Sequence, residues 1–285
     1  MIKTMRYAVM ACLLAAAPWR VQAEQTSSEK AREEMNKLPW QQGPAKGVVG
    51  AKAAIEVPAD GRLLPEASGS RFLELTGNLP SPGHTILVHG DWWATFSFNP
   101  SGYIKDDEKL DADALLQSLK ESDEPSNQER GKLGIARLYT DGWAVAPHYD
   151  PDTKYLEWGL RLHAEGSPEP VINYTVRLLG RSGYESVILV SSPESLTKDV
   201  AELKGMLKTF AFVPGERYAE FKPGDHVAEF GLGALVLGGA AAAAVKSGFW
   251  KTILVALAAS WKLIAGVAVA VMAGIGKLFK RDKAQ

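Results

Sequence analysis

Apolar and polar positions alternate with a period of two through much of the middle of this 285-residue chain. That period marks half-buried strands, whereas recurrence at three and four marks helices. His84 to His89 and Trp92 to Phe98 are β-rich runs separated by Gly90-Asp91, a hairpin signal. Val171 to Leu179 and Tyr184 to Ser191 form the clearest pair, joined by Gly180-Arg181-Ser182-Gly183. Ala51 to Val57, Gly134 to Tyr139, Trp143 to Ala146 and Tyr155 to His163 also read as strands. The helical period is rarer. Thr26 to Leu38 is a short charged helix stopped by Pro39, and Glu66 to Thr76 ends at Gly77-Asn78. Asp111 caps a helix whose apolar positions are Ala114, Leu115 and Leu119. Pro193 opens a helix carrying Leu196, Val200, Leu203 and Leu207. Glu121 to Gln128 is the most loop-like stretch. Hairpins outnumber crossovers, so the fold class expected is α+β, a mainly antiparallel sheet with packed helices, followed by C-terminal membrane helices.

The two ends break this pattern. Residues 1–23 hold a basic start (Lys3, Arg6), an apolar run from Tyr7 to Trp19, and Val21-Gln22-Ala23 as a small-x-small cleavage site. Together these are the parts of a secretory signal peptide. Phe230 to Val245 is apolar and rich in Gly and Ala; Thr252 to Gly276 is longer and more aliphatic but contains Lys262. A central lysine costs about 3 kcal/mol for insertion, which the flanking aliphatics can offset. The division expected is a signal peptide over 1–23, an exported domain over 24–227, and a membrane anchor with a basic tail over 228–285. The tail carries Lys277, Lys280, Arg281 and Lys283, which favours the cytoplasm. An external start and an internal end need an odd number of crossings. One crossing plus an interfacial helix is therefore expected, with a two-crossing hairpin as the alternative.

Charge sharpens this division. Residues 24–227 hold 22 basic and 31 acidic residues, a net of −9, while residues 228–285 hold 7 basic and 2 acidic, a net of +5. The acidic domain repels phosphate backbones, which argues against nucleic-acid binding. The only cysteine, Cys12, falls in the signal peptide, so the mature domain has no disulfide or thiol chemistry. The expected partners are the inner membrane and, through the small residues of 230–245, another membrane protein.

Several blocks stand in an order that resembles a known family. They are Trp40-Gln41-Gln42-Gly43-Pro44, Gly102-Tyr103-Ile104-Lys105-Asp106-Asp107, Gly142-Trp143 and Pro147-His148-Tyr149-Asp150. Asn173 to Arg181 and Tyr218-Ala219-Glu220-Phe221 complete the set. The chain resembles the bacterial membrane-anchored proteins grouped as domain of unknown function 2167, from about Leu38 to Gly239. The resemblance implies an exported, membrane-anchored protein; the signal peptide and the basic tail set the expected location at the inner membrane, with the main domain on the periplasmic side. It implies no activity and no functional residues.

Candidate chemistry is sparse. His148, Asp150 and His163 offer two imidazoles and a carboxylate, a minimal set for a divalent metal and a metal-assisted hydrolase. Asp150 before Pro151 is equally ordinary turn chemistry. Asp106, Asp107, Glu108, Asp111 and Asp113 do not follow EF-hand spacing, and capping explains Asp111. Arg177 and Arg181, in the best hairpin, can grip an anionic ligand or a carboxylate, or pair with the excess acids. Trp92-Trp93, Trp143 and Trp158 are candidates to line a sugar or peptide groove, although such residues in strands serve as core. The chain has no Gly-x-Ser-x-Gly elbow, no phosphate-cradling glycine loop and no His-Glu-x-x-His motif. The reading is a non-catalytic partner-binding or envelope-sensing module, with no cofactor. The alternatives are the metal-assisted hydrolase and a solute- or peptide-binding domain.

Overall fold

In the computed structural model, residues 30–76, 81–132, 136–167 and 169–238 are described. The chain divides after Leu38. In the first unit, residues 30–36 are helical (α1). The second unit holds the strands. Eight of them, β1 (Gln41–Gln42), β4 (Gly61–Leu64), β5 (Thr85–His89), β6 (Trp92–Asn99), β10 (Tyr184–Ser191), β9 (Val171–Leu179), β8 (Tyr155–Ala164) and β7 (Leu138–Asp150), lie side by side in that order. Every pairing in this sheet is antiparallel. A second antiparallel sheet runs β11 (Ala211–Phe212), β3 (Ala53–Val57), β2 (Ala45–Val49). The domain is therefore α+β with a large antiparallel sheet and few helices.

The large sheet is buried on both faces. Alternate residues of a strand point to opposite sides. On β9, Tyr174, Val176 and Leu178 enter the first core. That core is closed by Leu203, Met206 and Leu207 of α5 (Leu196–Leu207) and by Val49, Ala53, Ile55, Val57 and Phe212 of the small sheet. The opposite face of β8 presents Leu156, Trp158, Leu160 and Leu162 to a second core. Leu115 and Leu119 of α3 (Ala112–Glu121) cover it, with Leu232, Leu235 and Val236 of α6 (Leu232–Val236). On this same face, α2 (Glu66–Leu75) crosses near the start of β5, where a Cβ on Gly69 would lie 1.8 Å from the His84 carbonyl oxygen. Only glycine permits that approach.

Three expectations need correction. The loop-like Glu121 to Gln128 lies mostly in a helix, α4 (Asp123–Lys132). Its cause is tertiary rather than local. Asn127 donates to and accepts from the backbone of Leu138, both at 2.8 Å, and Asp123 accepts from the Thr140 N–H at 2.7 Å. These side chains occupy hydrogen-bonding positions that edge strand β7 would otherwise leave open. The separate runs Gly134 to Tyr139 and Trp143 to Ala146 belong to one bulged strand, β7, with register shifts after Thr140, Trp143 and Val145. Finally, the domain does not end at 227. Leu232 and Leu235 are fully buried, so it runs on through α6. The expected membrane helices fall mainly in 239–285, outside the described residues. Among the described residues no helix is long and apolar enough to cross a membrane.

Candidate functional site

The three residues of the metal reading are not brought together. His148 Nε2 lies 2.5 Å from Glu157 Oε1, while His163 Nδ1 lies 2.6 Å from Asp141 Oδ1. Glu157 and His163 are six residues apart on β8, about 20 Å of strand. Asp150 accepts from the Asp152 N–H and the Thr153 hydroxyl in a turn. No group of three or more His, Cys, Asp or Glu among the described residues is placed to hold a metal ion.

The motif blocks do converge, chiefly on a structural seam. Asp106 accepts from Tyr149 Oη at 2.6 Å and Lys154 Nζ at 2.9 Å. Burial pushes the Asp106 carboxyl up, but these two donors together with Tyr218 outweigh it and the net is below the ordinary range. Burial and the bond to Asp106 push the Tyr149 phenol up. Tyr103 stacks on Tyr218 with ring centroids 4.4 Å apart, and Tyr218 Oη donates to the Ile104 carbonyl at 2.8 Å. Arg181 grips Asp225 bidentately, both bonds 2.7 Å, which holds that carboxyl down at about 2. Glu108 accepts from the Gly233 N–H at the start of α6, and Asp111 caps α3 through the Ala114 N–H. Asp106, Glu108 and Asp111 of the acidic cluster are thus engaged in caps and pairs.

A second polar centre sits on the first-core face. Glu157, 4% exposed, accepts from Tyr174 Oη and Lys204 Nζ at 2.5 Å each, and His148 Nε2 lies 2.5 Å from its Oε1. That network ties α5 to β7, β8 and β9. On the same face, Glu185 is 1% exposed and its Oε2 has no hydrogen-bond partner. Burial, helped by the charge of Glu66, pushes its carboxyl up to about 8, so it stays protonated at neutral pH.

A further candidate is a cavity of ≈160 Å³ on the second-core face. Strand register gathers its polar side chains. Arg177 of β9 stands opposite Ser186 of β10, which stands opposite Ser97 of β6. Thr175 and Asn173 follow Arg177 on the same face of β9. Trp158, Tyr184, Leu119 and Val236 add apolar walls, and Gly238 is at the edge. Arg177 Nη1 donates to Ser186 Oγ. Its guanidinium lies 5.4 Å from the Trp158 ring and 5.3 Å from the Tyr184 ring. Its Nε has no hydrogen-bond partner, nor has Oδ1 of Asn173, four residues back on the same face of β9. No carboxylate pairs with Arg177 among the described residues. Burial draws its guanidinium below the ordinary arginine range, and only Tyr184 acts against this. Each ring contact contributes up to about 2 kcal/mol, whereas a desolvated ion costs several. An arginine cannot relieve the difference by losing its proton. The arrangement can therefore receive negative charge. It offers the guanidinium, two hydroxyls (Thr175 and Ser97) and the Asn173 amide.

The aromatic candidates separate. Trp92 and Trp93 are buried on opposite faces: Trp92 Nε1 donates to Glu202 at 2.8 Å, and Trp93 packs edge-on against Phe72 at 5.3 Å. Trp143 Nε1 donates to the Ala112 carbonyl at the start of α3. Only Trp158 of the four lines the cavity. Asn173 and Thr175 fall inside the block Asn173 to Arg181, which names no chemistry, and Ser186 falls in no motif. The signal in that block is a polar stripe, Asn173-x-Thr175-x-Arg177, alternating with apolar residues inside a strand buried on both faces.

Fold and site thus define the class: an α+β domain on an eight-stranded antiparallel sheet with an arginine-bearing cavity between sheet and helices. The chain belongs to the family described as protein of unknown function DUF2167, whose model matches residues 41–273. Two solved structures are similar in part. The solution structure of cyanobacterial PsbP from Synechocystis sp. PCC 6803 is 10% identical, covering 61% of this chain and 98% of its own, with a TM-score of 0.35. LpqN, involved in cell envelope biogenesis of Mycobacterium tuberculosis, is 14% identical, covering 64% and 96%, with a TM-score of 0.28. At these scores neither likeness bears on architecture or function. No curated protein matches the chain.

Proposed function

We propose that this protein is a non-catalytic binding module of the bacterial envelope. In this reading its α+β domain lies outside the cytoplasm, and the C-terminal apolar segments hold it to the inner membrane. The observation that carries the reading is the way the domain ends. Leu232, Leu235 and Val236 are locked into the second core. The sequence from Ala240 to Val245 and from Thr252 to Gly276 is then almost continuously apolar. No polar linker separates core from apolar segment, so the domain would be seated against whatever that segment enters. The signal-peptide pattern of residues 1–23 and the basic tail support the same placement. A further membrane protein packing on the small residues after Gly238 belongs to this proposal.

Cysteine accessibility in intact cells tests the placement. In a Cys12→Ala background, Glu124→Cys sits at an exposed position of α4 and Gln285→Cys at the tail. A membrane-impermeant thiol reagent is expected to label position 124 and to spare 285 until lysis. Protection of 124 in intact cells, with labelling after lysis, would overturn export. Labelling of both in intact cells would replace one crossing with a hairpin.

A further inference from the structure

We infer that the cavity beside Arg177 is a binding site for a small organic monocarboxylate whose apolar body lies against Trp158 and Tyr184. The inference deepens the binding-module reading by naming its site and ligand class, and it does not depend on where the domain is placed.

Four observations lead to it. First, Arg177 carries a permanent charge with no carboxylate partner among the described residues, in a domain that has an excess of acids. Arg181, four residues on, shows the ordinary outcome: a bidentate pair with Asp225. Second, the planar guanidinium fork matches two coplanar oxygens, and its Nε, aligned with such a fork, has no partner. Third, Asn173 is 5% exposed and its amide oxygen is also unpartnered. Turned about its last bond, the same amide presents its NH₂ to an anion. Fourth, size and lining select the class. The volume is ≈160 Å³, and a cavity of about 150 Å³ accepts a benzene-sized guest. Aromatic and aliphatic walls suit a carbon body rather than a fully hydrated ion. The net charge of −9 on residues 24–227 works against dianions such as phosphate more than against monoanions.

The test is a titration of the purified full-length chain in detergent with sodium benzoate, read by tryptophan fluorescence and by the thermal midpoint. Trp158 lies against the guanidinium and serves as the reporter. Saturable binding is expected with a Kd on the order of 1 mM or tighter, together with a rise in the midpoint. Arg177→Met is expected to weaken binding at least about tenfold, and Arg177→Lys, which keeps the charge and loses the fork, by a similar factor. Benzyl alcohol, of similar shape but neutral, is expected to give no response in the same range. The site as proposed is overturned if benzyl alcohol or sulfate matches benzoate, or if benzoate gives no saturable response. It is equally overturned if Arg177→Met binds like the native chain. Should Arg177→Met fail to fold, Arg177→Lys and the three native titrations decide the matter. An absent benzoate response beside external labelling of position 124 removes the site and leaves the membrane placement standing. The reverse pair of results removes the placement and leaves the site.

Discussion

The two faces of the large sheet handle buried charge in different ways. On the first-core face Glu157 accepts from two donors and has the His148 ring beside it. Glu185, without such partners, remains neutral by holding its proton up to about pH 8. On the second-core face Arg177, a half-buried side chain, has one serine, two aromatic rings and a cavity. A carboxyl has a neutral form to retreat to, while arginine does not. Burial without a partner is therefore self-correcting on one face and persistent on the other. The comparison locates binding capacity in the charge that the fold alone leaves uncompensated.

Several substitutions break or sharpen this contrast. The largest effect is expected from Leu235→Ala, which empties a fully buried position of α6 in the second core. A loss of about 3 kcal/mol or more in denaturant unfolding is expected, and a loss under about 1 would show that α6 is not part of the domain. Next comes Glu185→Gln. The folded pKa of about 8 lies above the ordinary glutamate value of 4.5, so between those limits the folded state holds a proton that the unfolded chain has released. Stability attributable to this group is full below about pH 4.5 and is lost as pH rises toward 8. Glu185→Gln is thus expected to be neutral at pH 4.5 and to stabilise by about 3 kcal/mol at pH 7. A substitution without pH-dependent effect would remove the self-correcting half of the comparison. Glu157→Gln then weakens the network around that carboxylate. About 2 kcal/mol of loss is expected, less than for a fully buried pair because Lys204 and His148 are about half exposed.

Much of this architecture is legible in the sequence. The hairpins at Gly90-Asp91 and Gly180–Gly183 and the helices capped by Asp111 and led by Pro193 follow from local signals, although the last begins at Leu196. What local signals miss is held by tertiary contact. Helix α4 has almost no apolar stripe and depends on Asn127 and Asp123 reaching the β7 backbone. Short strands β2 and β4 are too brief to show a period, and their pairing with β3 and β5 makes them strands. The site is half legible. Arg177 and Arg181 look alike in sequence, and only the fold gives Asp225 to one of them. His148 and His163 look like neighbours until strand length separates them. The polar stripe on β9 is visible in retrospect because both faces of that strand are buried, which the sequence of one strand does not reveal.

The most direct measurement is the unfolding free energy of Arg177→Met beside that of Glu157→Gln, in the full-length chain without added carboxylate. If Arg177 is an uncompensated charge, replacing it with an apolar side chain of similar reach removes a desolvation cost. The expected result is that Arg177→Met is as stable as the native protein or more so, while Glu157→Gln loses about 2 kcal/mol. A loss of about 2 kcal/mol or more in Arg177→Met, matching Glu157→Gln, would make Arg177 a structural prop and contradict the account.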